Sequence, residues 1–546
     1  MCVVFLNIEK LSLYGIFKAR IRILTSFVST IDIHSAFIMK THYLFTSFFL
    51  LLTGCVLTPN NQSAWRIDAL SAYNSGYEKG TEIISVQQTT LRAVLSNSES
   101  GVVDILDIRQ PAHLQRIARF SLKLKKGEEL TSVAFHPNLD QFAAVIDAGN
   151  SPGRLEIRSA STGLLIDRVV VGFGPDAVVF SMEGHLLMIA NEGEDFLFEP
   201  SSKQFFTPEG SISIVHLNAS GHIVSHKNLE LANKTNHEGF LITGGSRFLE
   251  REIDWNGDGV INKKIDFDGN GSIEKKKVVL GCFEGHDVFG TETNGERKIL
   301  IPIKIHSPAL LEPEYIAITP DASKAYVTLQ ENNEVAVVDL SNDQIIGYYG
   351  LGISQHKTDA NNDGWVHFNE SMNGLREPDG ITTVLNGRYF VTADEGDSDA
   401  DPLQTGKNES AGGRSVSVFD AATGDLVGDT DNQIDELAFV NHVYPDRRSN
   451  KKGSEPEMVI SLELEGEPYV AVGMERADAV ELISLADPSH PKVVSLGKIA
   501  GDDSKAPEGI AYFKVEGEHY LLTANEMNGT VTCFKITKQV LATVNH

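Results

Sequence analysis

The feature that most constrains this chain is a repeat that recurs seven times along the sequence. Each copy begins with an acidic residue, often after proline, and continues as a short apolar strand, a turn, a second strand ending near Asn-Glu or Asp-Glu, and a third strand. Runs of β-branched and aromatic residues between Gly, Asn and Asp turns are typical of β-sheet. Seven copies therefore predict an all-β fold, a seven-bladed β-propeller with loop insertions on one face. The copies begin at Glu82, Thr131, Asp176, Glu314, Asp379, Glu457 and Glu508. A two-sheet β-sandwich is the alternative, and it is disfavoured because sandwiches do not repeat one motif seven times.

The propeller is expected to span residues 65–546, with Trp65 to Tyr73 as an outer strand of the last blade. Some copies are spaced more widely than the roughly 40 to 50 residues of one blade, so the extra residues are interpreted as insertions. Loops of these classes lie on the face where the innermost strands start, and binding residues concentrate on such loops. The insertions are expected at about 195–209, 218–312, 351–375, 397–413 and 426–454.

The N-terminal region is interpreted as a targeting signal. An apolar run from Tyr43 to Leu52 ends in Thr53, Gly54 and Cys55. The run is shorter than the roughly 20 apolar residues of a spanning helix, and small residues before a cysteine are typical of a bacterial lipoprotein signal peptide. We expect an over-extended start at 1–38, a signal peptide at 39–54, lipidation at Cys55 and a tether at 55–64. An ordinary secretory signal is the alternative.

The charge and the cysteine content exclude several classes of protein. The net charge of −27 argues against a nucleic-acid binder, because binding to phosphates needs a basic surface. The four cysteines form no CxxC pair that would hold zinc or catalyse thiol chemistry. Cys282 and Cys533 are able to pair in an oxidising compartment, which the sequence alone does not decide.

The repeat also predicts an acidic ring around one mouth of the propeller channel. Carboxylates gathered about one axis repel one another unless cations, arginines or backbone donors compensate them. They are interpreted either as structural hydrogen-bond acceptors between blades or as ligands for a divalent cation or a cationic ligand. The predicted ring comprises Glu82, Asp176, Glu192, Glu314, Glu331, Asp379, Asp394, Glu395, Asp397, Glu457, Glu475, Glu508 and Glu526.

One loop matches an EF-hand calcium loop at every specified position. Such a loop carries oxygen ligands at positions 1, 3 and 5, a backbone carbonyl at 7, and a carboxylate at 12, with a glycine at 6 for the turn. The matching residues are Asp359, Asn361, Asp363, Gly364, Trp365 and Glu370. The flanking segments do not have a helical pattern, so a calcium loop outside an EF-hand is expected. The alternative is a solvated acidic turn.

A second calcium site is predicted in two tandem loops. Position 12 of each loop is not acidic, being Ile265 and Lys277, so the pair is similar to thrombospondin-type repeats, in which neighbouring loops complete the ligand shell. The candidate ligands are Asp254, Asn256, Asp258, Asn262, Asp266, Asp268, Asn270 and Glu274.

Three short words of the repeat resemble those of a known family. They are Glu312-Pro-Glu314 with Gln330-Glu-Asn-Asn333, Gly174-Pro-Asp176, and Thr392-Ala-Asp-Glu-Gly-Asp397. Together they resemble the choice-of-anchor I proteins over roughly Trp65 to Ile536. The resemblance implies an extracytoplasmic β-propeller related to mesenchyme-specific cell surface glycoproteins. Some relatives carry phosphatase or phytase-like labels.

Two functions from different classes follow. The first is a calcium-binding, lipid-anchored surface propeller that binds a protein or glycan as an adhesion or scaffold module. The second is a calcium-dependent phosphoesterase at the acidic mouth, in which Arg376, Arg414, Arg476 and Lys505 are the available cations. We favour binding, because metal loops without a recognisable nucleophile or base more often stabilise than catalyse. A monomer outside the cytoplasm is expected, at the outer membrane or cell surface, with no nucleic-acid partner.

Overall fold

Seven four-stranded antiparallel sheets form a closed ring. The computed structural model describes residues 64–193, 208–231, 311–396, 411–499, 501 and 505–539, and the backbone of short strands between 197 and 304. Each sheet is one blade, and its strands are called A to D from the channel outward. The A strands of successive blades contact one another around the whole ring, and blade 7 contacts blade 1. The predicted seven-bladed β-propeller is therefore confirmed.

The blades follow one another in chain order around the ring. From strand A to strand D, blades 1 to 4 consist of Ile84–Gln87, Arg92–Asn97, Val102–Asp107 and Gln115–Ser121; Glu129–Phe135, Gln141–Asp147, Arg154–Ser159 and Leu165–Val170; Pro175–Phe180, Leu186–Asn191, Ser211–Leu217 and Ile223–Glu230; and Pro313–Ile318, Lys324–Leu329, Glu334–Asp339 and Gln344–Gly350. In the same order, blades 5 to 7 consist of Pro378–Val384, Tyr389–Asp394, Ser415–Asp420 and Leu426–Asp429; Pro456–Leu464, Glu467–Met474, Ala479–Ser484 and Lys492–Lys498; and Pro507–Val515, Glu518–Asn525, Thr530–Gln539 and Ala64–Asn74.

The core lies between adjacent blades, which pack face to face. Strand B has apolar neighbours on both faces, so all six residues of Leu186–Asn191 are buried. Between blades 4 and 5, Tyr326 stacks on Phe390 at 5.1 Å, and Phe390 stacks on Phe419 at 5.0 Å between ring centroids. Aromatic pairs in such an arrangement contribute beyond the area that they bury.

The ring is closed by the N-terminal strand. Ala64–Asn74 pairs antiparallel with Thr530–Gln539, so that Trp65 lies opposite Lys538. Trp65 is buried, and its Nε1 donates to the hydroxyl of Tyr469 in blade 6 at 3.1 Å. The first strand of the propeller thus joins blades 6 and 7, as the position of Trp65 to Tyr73 predicted.

The inserted segments have secondary structure of their own. Between blades 4 and 5, Ile353–Ser354 pairs with Gly374–Leu375, and Lys357–Thr358 pairs with Glu370–Ser371. Between blades 5 and 6 lie the α-helix Gln433–Val440 and the 3₁₀ helix Asp446–Arg448. Other short 3₁₀ turns follow strand B in three blades, at Ser98–Ser100, Gln330–Asn332 and Glu526–Asn528.

The longest insertion is described only as backbone strands. One sheet consists of Leu197–Glu199, Gln204–Phe206 and Ile303–Lys304, and another of Phe248–Leu249, Val278–Gly281, Phe289–Glu292 and Lys298–Leu300. Two D strands, Ile223–Glu230 and Leu426–Asp429, lie inside ranges that the sequence assigned to insertions. The inserted residues therefore begin after these strands.

Candidate functional site

The acidic mouth of the channel is built by a bulge at the start of strand A. In five blades the register with strand B shifts at the residues that follow the first proline, for example between Pro175 and Ala177 and between Pro507 and Gly509. The same shift occurs in blades 4, 5 and 6. A bulge inserts a residue that the ladder does not pair and re-aims its side chain. The residues in these bulges include Asp176, Glu314, Asp379, Glu457 and Glu508.

A second set of carboxylates follows the end of strand B. Antiparallel pairing sets Pro378 opposite Asp394, Pro456 opposite Met474, and Pro507 opposite Asn525. The next residue along each B strand is a glutamate, Glu395, Glu475 or Glu526. The two sets predicted from the repeat therefore meet at one end of each blade.

Carboxylates of blades 5, 6 and 7 converge into three overlapping groups. In each group, one oxygen from each of three residues lies within 4.8 Å of the others. The groups are Asp379, Glu395 and Glu457; Glu455, Glu457 and Glu475; and Glu475, Glu508 and Glu526. Glu457 and Glu475 each belong to two groups. We call these seven residues the acidic mouth.

Burial and mutual repulsion keep several ring carboxyls protonated near neutral pH. Burial, followed by the charge of Glu455, raises the pKa of Glu475 to about 8. Burial raises the pKa of Glu395 to about 7, and neighbouring Asp379 adds to the effect. The pKa values of Glu457 and Glu508 lie well above the usual range, first through burial and then through adjacent carboxylates.

The ring extends around the channel into blades 1, 3 and 4. Burial, with the charges of Asp379 and Glu82, raises the pKa of Asp176 to about 7. Burial also raises the pKa of Glu82 to about 7, against a hydrogen bond from Ser98. Glu314 has a pKa well above its usual value because of burial and the charges of Glu192 and Asp176. Carboxyls of different blades therefore interact electrostatically through the channel.

Cations from the 426–454 insertion and blade 6 offset part of this charge. Lys452 pairs with Glu395, and its Nζ lies 3.4 Å from Glu455 Oε1. Arg476 pairs with Glu475, and its Nε lies 3.3 Å from Glu455 Oε1. Although burial opposes it, Lys452 and Arg476 hold the pKa of Glu455 below the usual value.

Glu455 was not among the residues predicted from the sequence. It is the first acidic residue of a Glu-Pro-Glu word that also occurs at Glu312, whereas the predicted ring takes the second acidic residue of each word. Glu455 adopts a left-handed conformation, with φ of 63°. Such a conformation is uncommon for a residue other than glycine.

Asp394 has a structural role inside blade 5. Its carboxylate is fully buried, and Oδ2 accepts from Ser415 at 2.7 Å and from Arg376 at 3.0 Å. Asn191 occupies the same strand-B position in blade 3, and its amide donates to Ser213 at 2.9 Å. Residues at this position hold strands B and C together, so Asp394 belongs to the blade interior and the following glutamate belongs to the mouth.

The four predicted cations have different positions. Arg476 is at the acidic mouth. Arg376 is buried beside Asp394, and Arg414 is buried between two insertions, where it donates to Asp359 O at 3.0 Å and Ser449 O at 2.5 Å. Lys505 is buried, and no hydrogen bond to its Nζ is found among the described residues.

Tyr315 occupies the channel beneath the mouth. It lies in the blade 4 bulge and packs against the apolar cluster of blades 6 and 7, which includes Met458 and Ile510, as well as against clusters on either side of blade 4. Burial and the charges of Asp379 and Asp176 raise the pKa of its phenol. The acidic mouth is therefore a cup with an aromatic floor.

The EF-hand-like loop is the tip of a two-stranded hairpin, because Thr358 pairs with Glu370. Asn361 Nδ2 lies 3.3 Å from Glu370 Oε1, and Gly364 has φ of 84°. Asp359 instead accepts from Ser449 Oγ at 2.6 Å. Among the residues that the structure describes, the loop carboxylates do not form a group as close as those of the acidic mouth.

Several predicted site residues lie outside the described residues or apart from the close groups. Cys55, Asp397 and the tandem loops from Asp254 to Glu274 fall outside the described residues. Cys533 is buried, and its predicted partner Cys282 also falls outside them. Glu192 and Glu331 follow strand B in blades 3 and 4, where they are not in the three close groups.

The fold and the acidic mouth define a β-propeller with a candidate cation site at one end of its channel. The sequence matches the model of the choice-of-anchor I domain over residues 82–406 and 398–488. The chain therefore belongs to the choice-of-anchor I family. This family assigns it to surface-associated binding or scaffold modules at the cell surface or elsewhere outside the cytoplasm.

Solved propellers are similar to this chain in fold. The RRP9 WD40 repeats are 9% identical, with a TM-score of 0.46, over 86% of this chain and 100% of theirs. A chain of Kuenenia stuttgartiensis hydrazine synthase is 10% identical, with a TM-score of 0.46, over 86% and 99%. No curated protein has a significant sequence match. Within the described part of the chain, no helix has the length and apolar character to cross a membrane.

Proposed function

We propose that this protein is a calcium-binding, lipid-anchored surface module whose acidic mouth binds a protein or glycan in a cation-dependent way. The observation that carries the proposal is the convergence of seven carboxylates from three blades into groups with oxygens within 4.8 Å. Calcium binds six to eight oxygen ligands, mainly carboxylates and carbonyls. A structural role alone does not require so many carboxylates at one point.

Proton sharing supports a cation at this point. Glu457 is hydrogen-bonded to both Asp379 and Glu475, and two carboxyls bond to each other only when a proton lies between them. A divalent cation would take the place of such protons and interact with several carboxylates at once. Lys452 and Arg476 supply only part of the compensating charge.

The surroundings of the acidic mouth suit a ligand that lies on the face of the propeller. Tyr315 closes the channel below, so a ligand approaches from the insertion side. Trp365, Phe439 and Val440 of the insertions are exposed, with Trp365 71% exposed. Exposed aromatic side chains supply contact area for sugars and proteins alike.

Calorimetry of the chelated protein with calcium tests the cation site. Glu457→Gln and Glu475→Gln each remove a charge that two groups share, so we expect calcium affinity to fall by about tenfold or more for each variant, since 1.4 kcal/mol corresponds to a factor of ten. Glu467→Gln is the matched control, because Glu467 is exposed at the other end of the strand that precedes Glu475. Equal affinities in all three variants would contradict a site at the acidic mouth.

Binding to the ligand is tested with the same variants. The wild-type protein should be retained on an immobilised glycan panel or on cells in calcium and be released by chelator, whereas Glu475→Gln should need more calcium for the same retention. Retention that is indifferent to calcium in all proteins would separate ligand binding from the cation site.

Phosphate-ester hydrolysis is the second candidate function, because neighbouring groups share Glu457 and Glu475. A shared carboxylate is able to bridge two ions about 3.5 to 4 Å apart, as two-metal phosphoesterases require, and Arg476 lies beside it. Calcium-dependent release of nitrophenol from p-nitrophenyl phosphate, lost in Glu475→Gln and kept in Glu467→Gln, would establish this activity. Absence of turnover in calcium, with binding intact, would leave the binding function alone.

A further inference from the structure

The EF-hand-like loop is folded against the neighbouring 426–454 insertion. Asp446, at the start of a 3₁₀ helix in that insertion, accepts a hydrogen bond from Gly364 N through Oδ2 at 3.0 Å. Ser449 of the same insertion donates to Asp359 Oδ2 at 2.6 Å. Two residues of one insertion therefore contact positions 1 and 6 of the calcium loop in the other.

Two carboxylate oxygens at this junction are buried without a donor. Glu370 Oε2 and Asp446 Oδ1 accept no hydrogen bond from the described residues. A buried acceptor that has lost its water and has no donor destabilises a fold by about 1 to 3 kcal/mol, and more when it is charged. A cation is the partner that would satisfy two such oxygens on opposite sides of one loop.

The local geometry agrees with that of a calcium loop. Positions 3 and 12 lie together, since Asn361 Nδ2 is 3.3 Å from Glu370 Oε1, and rotation of the amide would present Asn361 Oδ1 instead. Gly364 at position 6 has φ of 84°, which makes the sharp turn that the loop needs. Trp365 N at position 7 donates to Asp363 Oδ1 at 2.9 Å, which leaves its carbonyl available.

We propose that Asp446 is a ligand of the calcium ion bound by the 359–370 loop, so that one ion joins the connection between blades 4 and 5 to the connection between blades 5 and 6. The inference rests on the proposed calcium-binding function, and it adds a site separate from the acidic mouth. The carboxylates of the loop and of Asp446 are not yet as close as those of the mouth, so ion binding draws Asp363, Glu370 and Asp446 inward.

Terbium luminescence tests the proposal on the full chain, because the indole of Trp365 at position 7 lies beside the site. Terbium replaces calcium, and Trp365→Phe assigns the signal to this loop. We expect Asp446→Asn to weaken terbium and calcium binding by about tenfold, while Asn still accepts the hydrogen bond from Gly364. Asp425→Asn, at an exposed turn of blade 5, is the matched control and should bind as the wild type does.

Limited trypsin digestion gives a second measurement that does not depend on luminescence. Arg447 is exposed next to Asp446, so calcium should slow cleavage there in the wild type and in Asp425→Asn but not in Asp446→Asn. A Trp365 signal lost in Glu370→Gln and unchanged in Asp446→Asn would overturn the role of Asp446. No Trp365 signal at all would overturn the loop site, while calorimetry of Glu457→Gln and Glu475→Gln still decides the acidic mouth.

Discussion

At the scale of single residues, acidic side chains one position apart have different roles. Asp394 is buried and satisfied by Ser415, Ser417 and Arg376, while Glu395 belongs to the acidic mouth. Strand geometry explains the difference, because successive side chains point to opposite sides. The structural alternative for the acidic residues therefore holds for Asp394, and the close groups of the mouth keep the binding alternative for its neighbour.

Arg376 should be essential to the stability of blade 5. It is 1% exposed, and its two terminal nitrogens lie 3.0 Å from Asp394 Oδ2 and 2.8 Å from Asp429 Oδ2. Removing one partner of a buried ion pair leaves an uncompensated charge, so Arg376→Met should lower the free energy of unfolding by about 3 to 5 kcal/mol. Urea denaturation measures the change. Arg109→Met, which removes an exposed pair with Asp107, should leave stability nearly unchanged, and equal losses in both variants would contradict the argument.

At the scale of elements, the start of strand A is the unit that builds the mouth. A residue in the left-handed region precedes the proline in four blades, with φ of 52° at Gly174, 39° at Glu377, 63° at Glu455 and 48° at Ala506. The bulge then follows the proline. Neighbouring A strands approach closely at this point, and Thr328 donates to Asp379 O at 2.8 Å from the next blade.

Gly380 should tolerate no side chain, because the backbone of blade 6 lies against it. A Cβ at this position would lie 2.6 Å from Glu457 O and 2.8 Å from Met458 Cα. Overpacking of this kind costs about 1 to 3 kcal/mol, so Gly380→Ala should lower the melting temperature and weaken calcium binding at the mouth. Gly347→Ala is the control, since nothing lies within 4 Å of its Cβ. Two unchanged melting temperatures would show that blades 5 and 6 separate easily.

The sequence predicted the blades well where strands are buried on both faces, and less well elsewhere. Strand B residues such as those of Leu186–Asn191 form continuous apolar runs, which are a clear signal. The D strands Ile223–Glu230 and Leu426–Asp429 are half exposed and fall within the predicted insertions. Glu455 and Asp446 were missed because their roles depend on contacts between segments that no spacing rule encodes.

At the scale of the whole molecule, the predicted anchor determines where the propeller acts. If Cys55 carries the lipid, Cys55→Ala should move the protein from the membrane fraction to the soluble fraction or leave it unprocessed. Fractionation followed by labelling with a fatty-acid analogue measures this. Cys533→Ala is the control, because Cys533 is buried in the propeller and should not affect labelling. Labelling that persists in Cys55→Ala would exclude lipidation at this residue.

The net charge of −27 and the raised pKa values of the ring make the stability of the whole propeller depend on pH. The folded-state pKa is about 7 for Asp176, Glu82 and Glu395 and about 8 for Glu475, against ordinary values of 3.8 for Asp and 4.5 for Glu. Between these limits the folded protein binds more protons than the unfolded chain. The free energy of unfolding therefore falls as pH rises through this window, and it levels off above the folded pKa values.

We therefore expect the chelated protein to be more stable at a pH of about 5.5 than at about 8, as measured by urea denaturation. Calcium should remove most of this difference, because it stabilises the ionised ring at high pH and competes with protons at low pH. Glu475→Gln should flatten the pH dependence without calcium, since one raised group is gone, whereas the exposed Glu467→Gln should not. Stability that rises with pH in the chelated protein would mean that ion pairs such as Glu128 with Arg154, where the pKa of Glu128 falls to about 2, outweigh the ring.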